Sequence, residues 1–159
     1  MLETSNRIIV ELLDQQFDRL IENLRALIVS TPSPLLYKQN AAASIGENIL
    51  KSAGLIEQTF GGITANLWDD PFEWTLPEML STNARILDYL GEVEGLKNRA
   101  FVSFTEDGAL LKLVSMPSGE PCRLLELLLT TILRASDYRG RAAATLKLLS
   151  GEDATRFII

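Results

Sequence analysis

Apolar residues at Ile9, Leu13, Phe17, Leu20, Leu24 and Leu27 recur in steps of three and four, the spacing that gathers side chains on one face of an α-helix. Glu11, Asp14, Asp18, Glu22 and Arg25 fall largely on other faces. The pattern predicts an amphipathic helix from about Glu3 to Val29. Thr31-Pro32-Ser33-Pro34 ends it, because proline cannot continue the hydrogen-bond ladder and the residue before it avoids the α region.

A second helix opens at Ser44-Ile45-Gly46-Glu47, where a serine three residues before a glutamate is the spacing of a reciprocal capping box. Ile45, Ile49, Ala53, Ile56 and Phe60 supply its apolar stripe, and Gly61-Gly62 is the predicted stop, glycine being the residue that leaves a helix most easily in a left-handed conformation. Thr75-Leu76-Pro77-Glu78 predicts a third helix start by the same capping logic. Met79, Ile86, Leu90 and Val93, with Leu80 and Leu87, form its core face.

The period then shortens. Phe101 to Thr105 and Leu110 to Val114, separated by Glu106-Asp107-Gly108, predict two short strands around an Asp-Gly turn. A fourth helix is expected from about Glu120 to Ser150, with Pro121 early, Gly151 just beyond its end, and a change from an apolar first half to a polar second half at Arg134. The apolar tail Phe157-Ile158-Ile159 is expected to dock on the body. Four helices and one hairpin, with no repeat at solenoid period, predict an all-α four-helix bundle with a short β-hairpin between helices three and four. At 159 residues the chain is expected to be a single domain, residues 1–159.

Composition narrows the function classes. The net charge is −6 and there is no basic run, so the chain repels phosphate backbones and nucleic acid is not expected as a partner. The longest uncharged apolar stretch, Leu127 to Leu133, is far short of the roughly 20 residues that span a bilayer, so no membrane partner is expected. The N-terminal Met1-Leu2-Glu3-Thr4 lacks the basic-then-apolar pattern of a secretory signal, which makes the cytoplasm the expected location. Cys122 is the single cysteine, excluding an intramolecular disulfide and a cysteine-based zinc site. The chain has no histidine at all.

The order of elements, the Ser44-Ile45-Gly46 opening of the second helix, the hairpin before the fourth helix and the run Asp137-Tyr138-Arg139-Gly140 within it resemble the DinB-like (YfiT-like) superfamily. That resemblance implies an up-down-down-up bundle, frequent homodimers, and a cleft in which three histidines hold nickel, zinc or iron for thiol-dependent transfer, isomerisation or hydrolysis. Some relatives open helix two with Ser-Ile-Gly-x-His, where this chain has Asn48. Relatives carry His-x-x-x-His in helix four, where Arg134 and Tyr138 stand at the corresponding spacing. Asparagine is a weak neutral ligand and arginine a permanent cation that repels a divalent ion, so no cofactor is predicted.

Several residues remain candidates for chemistry. Arg134, Asp137, Tyr138 and Arg141 make two i,i+4 pairs, readable as a solvated helix end with a surface salt bridge or as a pocket in which Arg134 binds an anion with Asn48 and Tyr138 as hydrogen-bond partners. Glu47, Glu57, Glu126 and Asp137 are the carboxylates available for an oxygen-ligated ion, although Glu47 already has a capping role. Cys122 lacks a histidine base and is expected to be a small buried residue. Trp68, Phe72 and Trp74, in the long connection from Ile63 to Trp74, are expected either to plug one end of the bundle or to line a cleft or interface. The combined expectation is a histidine-free DinB-like protein that binds a small ligand or a partner subunit between its helices. The alternative is an enzyme with an altered site built on Asn48, Arg134, Asp137 and Tyr138.

Overall fold

A computed structural model describes residues 6–69, 71 and 75–151. Four helices, α1 (Ile8–Ser30), α2 (Ile45–Ala65), α3 (Asn83–Ser103) and α4 (Leu124–Ser150), account for most of them. Two short 3-10 turns, Ser33–Leu35 and Asp107–Leu111, and an antiparallel pair, β1 (Leu113–Ser115) and β2 (Pro121–Arg123), complete the order. Val114 faces Cys122 in that pair.

Helices α1 and α2 bury the stripes that their periodicity marks, and α3 buries Ile86, Leu90 and Val93, whereas Met79, expected on that core face, precedes the helix and is 61% exposed. Leu13, Phe17, Leu20, Leu24 and Leu27 of α1 enter one core with Ile45, Ile49, Ala53, Ile56 and Phe60 of α2. Ile9 is the exception in α1: it is half exposed, and Val10 takes the core position in its place. At the centre, the rings of Phe17 and Phe60 meet edge to face at 5.0 Å, and Phe101 lies 5.8 and 5.6 Å from them. Such edge contacts add to the burial of apolar area because the positive ring edge meets the negative face.

Side-chain bonds fix the helix directions. On α1 and α3, Arg7 donates to the Phe104 carbonyl and Lys97 to Asp14, while Arg25 pairs with Glu94; early positions of α1 meet late positions of α3, so the two are antiparallel. On α2 and α4, Ser52 Oγ donates to the Ala135 carbonyl at 2.7 Å and Thr59 meets Thr131 at 2.7 Å, which makes these two antiparallel as well.

The capping box of α2 forms as its spacing predicts: Ser44 Oγ accepts from Glu47 N–H and Ser44 N–H donates to the Glu47 carboxylate. Gly46 has a second reason to be glycine, since a Cβ there would come within 2.3 Å of the Tyr37 ring. The predicted stop at Gly61-Gly62 is overridden. The helix runs on to Ala65 and leaves through Asn66, whose φ is 55°, and Gly62 instead makes room for the Trp68 ring, 2.3 Å from where a Cβ would sit.

The third helix begins seven residues later than the Thr75 motif predicts. Thr75 Oγ1 donates back to the Pro71 carbonyl at 2.8 Å, and the cap of α3 is Thr82, whose hydroxyl accepts from Arg85 N–H. The predicted hairpin is also displaced. Phe101 to Ser103 form the last turn of α3, because Phe101 and Phe104, three apart, both reach the core, which alternation along a strand would forbid. The strands form instead at Leu113–Ser115 and Pro121–Arg123, placing Pro121 in β2 and starting α4 at Leu124. The predicted tail contact of Phe157 to Ile159 lies outside the described residues. No helix among the described residues is long and apolar enough to cross a membrane.

Candidate functional site

The α2–α4 interface is built from small and hydroxyl-bearing residues. Thr131 Oγ1 donates its single hydrogen to the Leu127 carbonyl at 2.8 Å, so Thr59 is the donor in the 2.7 Å bond between the two threonines. These bonds hold the helices together at their middles. Toward the C-terminal half of α2 a cleft of about 360 Å³ opens between α2, α4 and the hairpin, a volume within the usual range for small-molecule sites.

Leu55, Leu127, Trp68 and Met116 give the cleft apolar walls, while Gln58, Thr130 and Thr131 supply hydrogen-bonding groups. Trp68 is held there from two sides: its carbonyl accepts from Gln58 Nε2 at 2.9 Å and its indole N–H donates to Asn66 Oδ1 at 3.0 Å. Arg134 and Glu126 bring one cation and one carboxylate to the lining, and Cys122 of β2 contributes its thiol. Arg134 makes no ion pair or hydrogen bond with any described residue.

Cys122 is half-buried, not the buried small residue the sequence predicts. Burial pushes its thiol above the ordinary range, and the neighbouring Glu126 carboxylate raises it further. The thiol therefore stays protonated near neutrality, and a thiol is a poor nucleophile.

The sequence-derived site divides. Arg134 faces the cleft, but Asn48, Asp137 and Tyr138 are not in its lining. Asn48 is 3% exposed, and its amide donates to the carbonyls of Ala43 and Ser44, closing the first turn of its own helix. Asp137 makes the i,i+4 salt bridge with Arg141 at 2.7 Å, both side chains more than half exposed. Tyr138 has two cations near its ring, Arg141 at 5.1 Å and Lys51 at 5.8 Å from the ring centre. The candidate carboxylates are likewise apart: Glu47 caps α2, Glu57 accepts from the Tyr89 hydroxyl, Glu126 lines the cleft and Asp137 pairs with Arg141. Among the described residues no three carboxylate or cysteine side chains come together as a metal-binding group. Of the aromatic trio, Trp68 lines the cleft, while Phe72 and Trp74 lie outside the described residues.

Two features escape a reading of the sequence. Glu126, Thr130 and Arg134 form an i,i+4 row along one edge of α4, and that spacing is visible in the chain once the helix register is known. Lys97, wholly enclosed on α3 and bonded to Asp14 and Asp18 of α1, has only a weak signal: a lysine four residues after Val93 on a core-facing stripe.

Compared with protein-family models, curated proteins and solved structures, the chain matches none.

Proposed function

We propose that this chain is a DinB-like ligand-binding protein that holds a small molecule in the cleft between α2, α4 and the hairpin, without the metal chemistry of its relatives. Support for the DinB-like layout comes from the antiparallel α1–α3 and α2–α4 pairs, which fit an up-down-down-up course, and from the hairpin just before the last helix. The observation that carries the binding role is Arg134, a permanent cation without a described partner at the edge of an apolar-walled cleft of ligand size. Its charge repels a divalent ion and attracts an anion. The enzymatic alternative gains nothing from Cys122, whose thiol is pushed toward its protonated form.

Anilinonaphthalene sulfonate, an apolar anion with fluorescence that rises on burial, tests the cleft directly. Titration is expected to saturate with the folded protein, to weaken several-fold in Arg134→Gln, and to be lost in Thr130→Trp, which fills the cleft from an exposed position on α4. Binding unchanged in Thr130→Trp overturns the proposal, provided circular dichroism shows both variants folded.

A further inference from the structure

Opposite charges that share a cleft usually pair, and here they do not. Glu126 and Arg134 both line the cleft, yet neither is in an ion pair with a described residue. The reason is their spacing: eight residues along α4 separate their backbones by about 12 Å at 1.5 Å per residue. Thr130 stands midway on the same edge, and Leu127 and, from α2, Leu55 line the space alongside. The result is a trough with a carboxylate at the hairpin end, a guanidinium at the other, and a largely apolar middle that carries the Thr130 hydroxyl.

We propose that the ligand of this cleft is an elongated zwitterion, its ammonium against Glu126 and its carboxylate against Arg134; this rests on the cleft being the binding site. A free α-amino acid is too short, because its ammonium and carboxylate are carried by the same carbon. An extended peptide of three residues reaches about 10 Å from end to end, and its amide groups meet Thr130 and Gln58. A linear ω-amino acid of similar length has the same two charges with a purely apolar middle. The carboxylate at Arg134 gains a two-pronged hydrogen bond that a point charge does not offer. The ends are solvent-exposed, so each charge contributes modestly and selectivity comes from satisfying both at once.

Isothermal titration with trialanine, ω-aminooctanoate, octanoate and octylamine tests this on the full chain and on Glu126→Gln and Arg134→Gln. At least one of the two zwitterions is expected to bind about fivefold or more tightly than octanoate and octylamine, and each substitution to remove that advantage. Trialanine binding more tightly than ω-aminooctanoate identifies a peptide, and the reverse an ω-amino acid. Octanoate binding as tightly as both zwitterions, with Glu126→Gln without effect, overturns the zwitterion while leaving the cleft as an anion site. No zwitterion binding below millimolar also overturns it, and the anilinonaphthalene sulfonate titration then shows separately whether the cleft binds ligands.

Discussion

Lys97 and Asp14 form a 2.6 Å ion pair across the α1–α3 interface in which the cation is 0% exposed and the carboxylate 38%. Asp18 also pairs with the ammonium, again from a position open to water. The ammonium also lies over the Phe101 ring, 5.7 Å from its centre. A charge removed from water is stable only while its partners remain, so the lysine and its two carboxylates are not equivalent.

Removing the carboxylates is therefore expected to be far more damaging than removing the lysine. The double substitution Asp14→Asn, Asp18→Asn leaves an enclosed ammonium without a counter-charge and is expected to cost about 3–5 kcal/mol. Lys97→Met keeps the stem's packing and leaves two carboxylates that water can solvate, with an expected change within about 1 kcal/mol. Urea unfolding of both variants checks the asymmetry; equal losses would contradict it.

Asp107 is expected to behave as the N-cap of a helix 97 residues away in sequence. Its Oδ1 accepts from Ile9 and Val10 N–H at 3.0 Å each, and its own N–H donates to the Asn6 carbonyl at 2.7 Å. Asp107→Ala is expected to lower stability by about 1–2 kcal/mol, as for loss of other helix caps. Amide hydrogen exchange is expected to show the loss first in the opening turn of α1.

Thr59 and Thr131 are expected to be strongly coupled. Thr131→Val removes the acceptor of the Thr59 hydroxyl in a buried interface and is expected to cost about 1–3 kcal/mol, the penalty for an unsatisfied buried polar group. Thr59→Val is expected to cost less, because Thr131 still donates to Leu127. The double valine variant is expected to recover part of the loss, and thermal unfolding of the four proteins closes the cycle.

Tyr37 gives the protein a stability loss at high pH. Burial pushes its phenol up to about 12, with the charges of Glu47 and Glu78 adding to the rise. The folded state therefore holds this proton more tightly than the unfolded chain, where the value is about 10. The resulting stabilisation is complete below about pH 10 and falls away as pH rises toward 12. Tyr37→Phe, which also loses the 2.6 Å bond to the Leu80 carbonyl, is expected to cost about 1 kcal/mol at neutral pH and to flatten the decline between pH 10 and 12. Denaturant midpoints measured across that range provide the comparison.

Local and tertiary information can be told apart at particular residues. The helical stripes of α1 and α2, the turn at Pro32 and Pro34, and the Ser44–Glu47 capping box were legible because each depends on neighbours within four positions. The Thr75 motif failed because Pro71 offered its carbonyl to the threonine hydroxyl. The Asp107-Gly108 turn failed because that aspartate has better use at the start of α1. Arg134 was recognised as a candidate from its spacing, but its cleft partners were not. Asn48 folds back onto its own helix, whereas Trp68 and Gln58 meet α4 only when α2 packs antiparallel to it. What the chain determines alone is where helices form and which face they bury, since those follow from short-range backbone geometry and periodic burial. Which polar groups are enclosed together, as with Lys97 and its two aspartates, was decided only when the helices packed, because the desolvation and pairing of charges depend on neighbours that lie some eighty residues apart in the chain.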